Sequence, residues 1–536
     1  MRNVHFFRVI MVVALFTGCG NDVDPTYAPE PKDLNAGGTE NVVIYPDETY
    51  QTIESFSASD CWAPNYIGTY WTSSEKEDIA RLLFSKNIND GQPEGIGLSG
   101  WRFNLGAGTV QQGSASDIED PVRRAEAFMD PATGDLDWSK QAGQQFFLDQ
   151  ALSYGCDQFV MFSNSPPVRY TRNGKGYSGN GEYSNLKDEH YADFANYMTT
   201  VLKYFRDNKG IDFDFVSPVN EPQYNWEGTD QEGSGWQNSE IQHLATELDH
   251  ALTADGLNTK ILLGEAAAWN YLYEPDGDPG RKDVIDNLFG AESSSYVGDL
   301  PNVAQIIAGH SYWTDGNWST MVDVRTKVGE KAATAGLKVY QTEWSMLGDG
   351  YDPSEFVGFD NASYMDIALY MSKVIYCDLV YANASSWSYW TSMDLERWGH
   401  KNRFLLIKVT PAGGAYGDIT ESGTHEAMKN LWVLGNYSLF IRPDYKRIGL
   451  DLRDSSKDVF GSAYISPDSR RIVAVYTNLS ANSYDVKARM ENVSILDVKT
   501  YTTSASQNLE EKVISDPANP ILINPNSVVT VVYDID

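Results

Sequence analysis

An alternation of strand-like and helix-like segments between residues 55 and 435 constrains the fold of this chain more than any other feature. Segments rich in apolar, aromatic and β-branched residues predict strands at 56–62, 97–105, 158–165, 213–222, 259–265, 305–313, 337–344 and 384–390. Apolar positions at helical spacing predict helices between them at about 74–83, 146–154, 190–205, 239–252, 321–335 and 362–378. Eight strands with helical connections predict an α/β chain folded as a (β/α)8 TIM barrel with long loops.

The residues on either side of the barrel segments predict a second domain. After residue 435, turn residues separate short alternating strands at 459–465, 471–477 and 527–533, a pattern typical of an antiparallel β-sandwich. Short strands at 42–45 and 50–53 precede the first barrel strand. We therefore expect a barrel over 55–435 and a side-attached β-sandwich over 436–536, which the strands within 41–54 join.

The first 18 residues have the features of an export signal. Arg2 and Arg8 precede the apolar run 9–16, which is too short to span a bilayer as a helix. The run ends at Thr17-Gly18-Cys19, which resembles a bacterial lipoprotein box and implies lipidation of Cys19. We expect a flexible tether over 19–40 and attachment to the bacterial outer membrane, on its periplasmic or outer face. An ordinary secretory signal is the alternative.

Charge and aromatic content narrow the range of partners. The formal net charge is −33, which argues against binding to nucleic acid and against a polybasic hold on anionic lipid. The chain contains 14 Trp and 32 Tyr. Because sugar rings present apolar C–H faces that stack on such rings, a polysaccharide or oligosaccharide partner is expected besides ordinary core packing.

The remaining cysteines and the acidic segments do not match a metal or redox motif. Cys61, Cys156 and Cys377 have no ligand spacing, and we predict buried thiols, with Cys61 as the exception. The pairing of two of them in one disulfide stays open. The acidic run 274–280 lacks the ligand spacing of an EF-hand, so a solvated turn is predicted. We expect neither a metal nor an organic cofactor.

Two predicted strands deliver a glutamate at their carboxyl end. Pro222 stops the strand 213–222, which places Glu221 at its end, and Glu343 occupies the matching position of the strand 337–344. Ligands bind at this end of the strands in a parallel barrel. These are the fourth and seventh barrel strands, on roughly opposite sides of the mouth. Two carboxylates that flank one bond are what glycosidic cleavage requires, about 5–5.5 Å apart when configuration is retained.

The two carboxylates need different surroundings. A general acid keeps its proton near neutral pH in apolar or anionic surroundings, whereas a nucleophile stays ionised beside a cation or hydrogen-bond donors. Arg102, at the end of the second strand, is the expected cation for Glu343. Asn220 is expected to bind a sugar hydroxyl beside Glu221.

Other glutamates lie near the same end of the barrel. Glu265 ends the fifth strand but has no flanking Asn, so we predict that it supports the site through hydrogen bonds. Glu227 and Glu232 lie in the loop after Pro222, and we predict surface or sugar-contacting positions for both.

Six motifs occur in order at 54–62, 101–104, 217–223, 310–312, 340–344 and 386–390, followed by 434–443. Together they resemble glycoside hydrolase family 30 over nearly all of the chain from about residue 42. The resemblance implies that Glu221 is the acid/base and Glu343 the nucleophile of a double-displacement, retaining mechanism. It also implies that the sugar is bound by Arg102, Asn220, His310, Tyr312 and Trp390, and we add Asp60, Trp62, Asn104, Trp226 and Trp387 from the same segments.

Two details of the motifs qualify this resemblance. Ser55-Phe56-Ser57 stands where the family commonly has Gly-Phe-Gly, in the segment that leads to Asp60. Trp62 and Trp226 are either platforms for sugar rings or aromatic residues that pack the loops.

The loop 223–233 is similar to that of the endo-β-1,6-galactanase branch of the family. This similarity predicts an endo-acting enzyme that cleaves β-1,6-galactan side chains of arabinogalactan. Separately, we expect a monomer. A β-1,6-glucanase, a xylanase and an exo-acting β-xylosidase or β-glucosidase are alternatives within the family. A surface glycan-binding protein without catalysis is the alternative from another class.

Overall fold

A computed structural model describes residues 41–348, 350–398, 403–453, 455–490 and 492–536. Within these residues, eight parallel strands form a barrel, in chain order Ser55–Ala58, Gly100–Asn104, Gln158–Phe162, Phe215–Ser217, Lys260–Ala266, Val303–His310, Lys338–Trp344 and Ala384–Tyr389. The barrel closes where Ser59 bridges Arg102 and the amide of Asp60 donates to the carbonyl of Arg102. The predicted (β/α)8 barrel is confirmed. The predicted signal peptide, Cys19 and the tether lie outside the described residues.

Helices surround the barrel strands. They are Ala63–Tyr70, Ser73–Phe84, Thr109–Gln112, Ala142–Ser153, Tyr191–Lys209, Asn238–Asp255, Val284–Phe289, Trp318–Thr334, Tyr364–Val380 and Lys429–Ser438. Thr72 with Glu75, and Ser363 with Asp366, form capping boxes at two helix starts, where they satisfy amides that have no partner within the helix. The predicted helices lie within a few residues of these bounds.

The second domain is built on one eight-stranded sheet. Its spatial order is Ala488–Met490, Val42–Thr52, Lys446–Leu452, Val459–Ile465, Arg471–Asn478, Ser527–Ile535, Ile495–Thr503 and Glu510–Ile514. All neighbours are antiparallel except the first pair. A ribbon of Tyr484–Val486 and Ile521–Ile523 adds apolar side chains to the core on one face of this sheet. The strand Val42–Thr52, which precedes the barrel, thus pairs with Lys446–Leu452, which follows it.

The other face of the sheet packs on two barrel helices. Ser372 bonds to Thr477 over 2.7 Å, and the side-chain amide of Asn436 donates to Thr530 over 2.9 Å. Since Ser372 and Asn436 belong to the helices Tyr364–Val380 and Lys429–Ser438, the second domain is attached to the side of the barrel rather than to its mouth.

Short strands complete the described chain. Met393–Leu395, Ile407–Pro411 and Gly423–Ala427 form a three-stranded sheet after the eighth barrel strand, and Ile88–Asn89 pairs with Gln92–Pro93. Among the described residues, no helix is long and apolar enough to cross a membrane. Cys61, Cys156 and Cys377 are buried free thiols, so the expected exception for Cys61 is wrong: it lies in the apolar core beneath the loop after the first strand.

A buried carboxylate organises the outside of the barrel between strands and helices. Asp378 accepts from the Arg325 guanidinium over 2.6 Å and from Ser311 over 2.8 Å. It also accepts from the indole N–H groups of Trp269 and Trp387, over 3.2 and 2.9 Å. Burying a charge is costly unless it is paired and fully hydrogen-bonded, and this set of donors meets that requirement for Asp378.

Candidate active site

Glu221 is held by its own backbone at the end of the fourth barrel strand. Its φ of 43° lies in the left-handed region, which costs a non-glycine residue about 1–3 kcal/mol and needs surrounding contacts to persist. Its amide donates to the carbonyl of Glu265 over 2.9 Å, and its carbonyl accepts from the Tyr224 amide and from the Trp226 indole. The backbone bonds before and after Glu221 therefore fix the direction of its side chain.

Arg102, on the second strand, connects the carboxylates from below. It donates to Glu343 over 2.8 Å, to Glu265 over 3.1 Å and to the side-chain oxygen of Asn220 over 3.0 Å. Only 1% of its side chain is exposed. A guanidinium carries its donors in a rigid planar fork, so Arg102 sets the distances between residues from three other strand ends.

His310 connects the two sides of the site. One ring nitrogen lies 3.0 Å from Glu221 and the other lies 3.0 Å from Glu265. Burial by itself lowers the pKa of a histidine, but the carboxylates around His310 raise its pKa to about 9. His310 is therefore a cation at neutral pH and donates to a carboxylate from each nitrogen.

Glu265 is the carboxylate that supports the site without facing it. Besides Arg102 and His310, it accepts from the hydroxyls of Ser217 and Thr342, over 2.9 and 2.8 Å. Burial alone raises the pKa of a carboxyl group, yet the charges of Arg102 and His310 hold the pKa of Glu265 at about 2. The structure thus places Glu265 in the supporting position that its sequence neighbours predict.

Glu343 faces Glu221 across the mouth of the barrel. Tyr312 donates to one Glu343 oxygen over 3.1 Å, and Arg102 donates to the other. Oxygens of Glu221 and Glu343 lie within 4.8 Å of one another and of a ring nitrogen of His310. Burial raises the pKa of Glu343, as does the nearby Glu221, while His310 and Arg102 lower it.

The charges of this cluster limit what it can bind. The three carboxylates of Glu221, Glu265 and Glu343 face the two cations Arg102 and His310, so one proton on a carboxylate makes the cluster neutral. Glu221, His310 and Glu343 are near enough to one another to suggest a metal site. Both His310 nitrogens already contact carboxylates over 3.0 Å, so an ion at this position would have to displace these contacts.

A cavity of about 910 Å³ opens above Glu221 and Glu343. Four of the residues predicted to contact substrate line it: Trp62, Asn220, Trp226 and Trp390. The Trp62 and Trp390 rings meet edge to face, with centroids 5.3 Å apart. Other lining residues carry no sequence signal for this role: Asn164, Arg123, Asp394, Arg397, Trp398 and Tyr416.

Loop contacts place Trp62 under a cation. The Arg123 guanidinium carbon lies 4.0 Å from the Trp62 ring and 4.1 Å from the Trp398 ring. Arg123 also pairs with Asp394 over 3.2 Å. Because one face of Trp62 contacts this cation and its edge meets Trp390, Trp62 serves mainly as a packed wall of the cavity rather than as an open platform.

Five predicted substrate residues do not line the described cavities at the mouth: Arg102 and His310, which lie beneath it, and Asp60, Asn104 and Trp387. Asp60 accepts from the Asn104 amide over 2.7 Å, and both side chains are buried. Burial raises the pKa of Asp60 to about 7. Trp387 points away from the mouth, because its indole N–H donates to Asp378 on the outside of the barrel. The structure therefore assigns Asp60, Asn104 and Trp387 to the support of the barrel strands.

The loop glutamates also differ from each other. Glu232, predicted at the surface or in contact with sugar, is buried and accepts from the Ala107 amide and from the Thr109 hydroxyl, over 2.9 and 2.6 Å. Its burial raises its pKa to about 7. Sequence reasoning misplaced Glu232 because its partners lie more than 120 residues away. Glu227 is exposed, as predicted.

Comparison with known proteins identifies the family. The model of O-Glycosyl hydrolase family 30 matches residues 39–401, so the chain belongs to glycoside hydrolase family 30 and is a glycosidase. An endo-beta-1,6-galactanase from Hypocrea rufa is 24% identical over 375 residues, which cover 67% of this chain and 68% of that protein.

Solved structures share the fold over nearly the whole chain. A conserved exported protein from Bacteroides fragilis is 30% identical, with a TM-score of 0.84, over 92% of this chain and 99% of that one. The catalytic domain of GH30 xylanase C from Talaromyces cellulolyticus is 21% identical, with a TM-score of 0.64 over the same shares. The predicted family and barrel with a side domain are thereby confirmed.

The raised pKa of His310 predicts a pH-dependent stability. Because its folded pKa of about 9 exceeds the ordinary 6.5, the charged ring stabilises the fold fully below pH 6.5 and loses this contribution as pH rises through 9. We expect the melting temperature of the wild type minus that of His310→Gln to be largest at about pH 6 and to shrink by about pH 9.5. Calorimetry of both proteins across this range measures the difference.

His243→Gln serves as the matched control, since this imidazole lies on a helix surface with 51% of its side chain exposed. A difference between wild type and His310→Gln that stays constant from about pH 6 to 10 contradicts the assigned charge on His310. So does an imidazole resonance for His310 that titrates near 6.5 in nitrogen-15 NMR.

Proposed function

We propose that this glycosidase acts with retention of configuration, with Glu343 as nucleophile and Glu221 as acid/base. The observation that carries the proposal is the separation of the two carboxylates, whose oxygens lie within 4.8 Å at the floor of one cavity. That spacing leaves no room for the water that an inverting mechanism places between substrate and base.

The contacts of the two glutamates support these roles. Glu343 receives hydrogen bonds from Arg102 and Tyr312, which stabilise a carboxylate as it attacks the anomeric carbon. Glu221 donates its proton to the glycosidic oxygen as that bond breaks, and the glycosyl group becomes covalently bound to Glu343. Water then attacks the same carbon, Glu221 takes its proton, and the bond to Glu343 breaks.

His310 and Glu265 position Glu221 for this cycle. The His310 ring contacts Glu221 directly, over 3.0 Å, and so restricts where its carboxyl group can lie. Glu265 stays ionised beneath them and holds His310 and Arg102 in place. Neither side chain lines the described walls of the cavities, so both act by positioning the reacting carboxylates.

For the substrate, we propose endo-cleavage of β-1,6-galactan such as the side chains of arabinogalactan. The relative from Hypocrea rufa bears the name endo-beta-1,6-galactanase, and the loop 223–233 resembles that branch of the family. Other β-linked polymers, including β-1,6-glucan and xylan, remain alternatives in the same cavity. A protein that binds glycan without cleaving it has no need for two apposed carboxylates.

A product profile tests both substrate and mechanism. We expect the protein lacking residues 1–19 to release a ladder of galacto-oligosaccharides from de-arabinosylated arabinogalactan, but no products from β-1,6-glucan or glucuronoxylan. Proton NMR at early times should show the β-anomer first, because two inversions restore configuration. Products from another polymer would show that the proposed substrate is wrong. An initial α-anomer would contradict retention of configuration. Binding without cleavage of all three polymers refutes the enzymatic proposal.

Substitutions of the two glutamates separate their roles. Glu343→Gln should abolish turnover of every substrate while the melting temperature stays within a few degrees. Glu221→Gln should lower kcat on polymer about 10²–10⁴-fold, with a much smaller loss on a dinitrophenyl glycoside, whose leaving group needs no proton.

Glu292→Gln is the matched control, because Glu292 is exposed on the loop before the sixth strand. Its kinetics should equal those of the wild type. Full activity in both Glu343→Gln and Glu221→Gln removes the proposed assignment.

We also propose that Cys19 attaches the exported protein to the outer membrane through lipid. The apolar run 9–16 and the Thr17-Gly18-Cys19 box support this. Expressed with its own signal in a Gram-negative bacterium, the wild type should incorporate labelled fatty acid and sediment with membranes. Cys19→Ala should incorporate none and appear in the soluble periplasmic fraction. Equal fractionation of both proteins rejects the lipid anchor.

A further inference from the structure

Two cavities meet at Glu221. The cavity of about 910 Å³ contains Glu343 in its wall, whereas a second cavity of about 470 Å³ contains Tyr312 and Trp313 but not Glu343. The two cavities adjoin, since five residues belong to both walls: Glu221, Trp226, Asp230, Gln231 and Leu347. The volume of the smaller cavity is in the range of sites for small ligands.

The proposed roles of the two glutamates indicate which cavity holds the glycone and which holds the aglycone, so this step rests on the proposed function. A nucleophile attacks the anomeric carbon of the sugar on the glycone side, and the acid protonates the oxygen that leaves with the aglycone. The glycone side must therefore include Glu343, and Glu221 must face both sides. Only the larger cavity meets the first condition, which leaves the smaller one for the leaving group.

Exposed aromatic rings line the smaller cavity. Trp313 is 59% exposed and Tyr224 is 49% exposed. Their planes are nearly parallel, at 13°, with centroids 6.4 Å apart. The negative faces of such rings suit the C–H groups of a pyranose, and large apolar surfaces left open to water commonly mark binding sites.

The backbone is strained at two tryptophans of this cavity. Trp313 has a φ of 54° and Trp226 a φ of 53°. The left-handed region is unfavourable for bulky residues and persists at sites where surrounding structure enforces it. Both tryptophans share a cavity wall with Glu221, and the Trp226 indole is also held by its hydrogen bond to the Glu221 carbonyl.

Charge restricts the ligand further. The described wall of the smaller cavity contains the carboxylates Asp230 and Asp315 and includes no Lys, Arg or His. The wall of the larger cavity also contains carboxylates, but it includes the cations Arg123 and Arg397, which pair with Asp394 and Asp120. A sugar bearing a carboxylate is therefore disfavoured on the side of the leaving group, where Asp230 and Gln231 can bind neutral hydroxyls.

We propose that the smaller cavity binds the aglycone part of the substrate, a neutral chain of pyranose rings that stacks on Tyr224 and Trp313. This pair, which we name the aglycone shelf, makes the enzyme depend on sugar residues beyond the scissile bond. It selects internal bonds of a polymer over glycosides with small leaving groups.

The test compares a substrate with an aglycone and one without. De-arabinosylated galactan should occupy both cavities, whereas the β-fluoride of β-1,6-galactobiose places only a fluorine atom on the aglycone side. Fluoride release is read with an electrode. The variants are Tyr224→Ala and Trp313→Asn, since asparagine tolerates the left-handed backbone of position 313 while it removes the ring.

We expect each variant to lower kcat/KM on galactan about tenfold, and kcat/KM on the fluoride to stay within about twofold of wild type. Trp313→Phe, which keeps an aromatic face, should recover part of the loss on galactan. Tyr70→Ala is the matched control, because Tyr70 is 56% exposed on a helix end and lines neither cavity.

Three other results would contradict binding of the aglycone by the aglycone shelf. Unchanged kinetics on galactan in both variants removes it and leaves the proposed function intact. Equal losses on galactan and fluoride place these rings in glycone binding or in catalysis. If the wild type cleaves neither substrate, the proposed function is wrong. The assignment of the two cavities to glycone and aglycone is then wrong as well.

Discussion

The buried guanidinium of Arg102 is the group on which the arrangement of the site depends. A charge removed from water is tolerated only when partners surround it, and Arg102 obtains them from several strands. From the second strand it contacts Phe162 of the third, Asn220 after the fourth, Glu265 of the fifth and Glu343 of the seventh. The barrel can close around Arg102 only when these strand ends are in register, so folding and the assembly of the site are coupled.

The consequence of this arrangement is a balance of charge. Three carboxylates and two cations share a water-poor volume, and the two cations hold the pKa of Glu265 at about 2 while the carboxylates hold His310 at about 9. Glu265 and His310 thus stay ionised beneath Glu221 and Glu343, which line the cavity. In the proposed mechanism these two charges do not change, and Glu221 and Glu343 carry the chemistry.

Local pattern predicted much of this molecule, and its failures share one cause. The barrel strands, the positions of Glu221 and Glu343 and the support from Glu265 follow from strand ends and neighbours along the chain. Trp387 and Glu232 were assigned to the wrong surroundings, because their partners Asp378 and Thr109 belong to other segments. The β domain was expected as a sandwich, and its second layer is a ribbon of two short strands. The surroundings of a side chain depend on the residues that pack against it, and those residues are often distant in the chain.

The sequence by itself determined the fold class, the family and the two opposed glutamates, because alternation of strands and helices, and a proline or aromatic residue at a strand end, act within a few residues. Only the tertiary structure decided that the mouth holds two cavities with Glu221 between them, and that Tyr224 and Trp313 lie parallel beside it. The walls of both cavities come from loops far apart in the chain. Their distances depend on how the barrel closes, and no local pattern encodes that geometry.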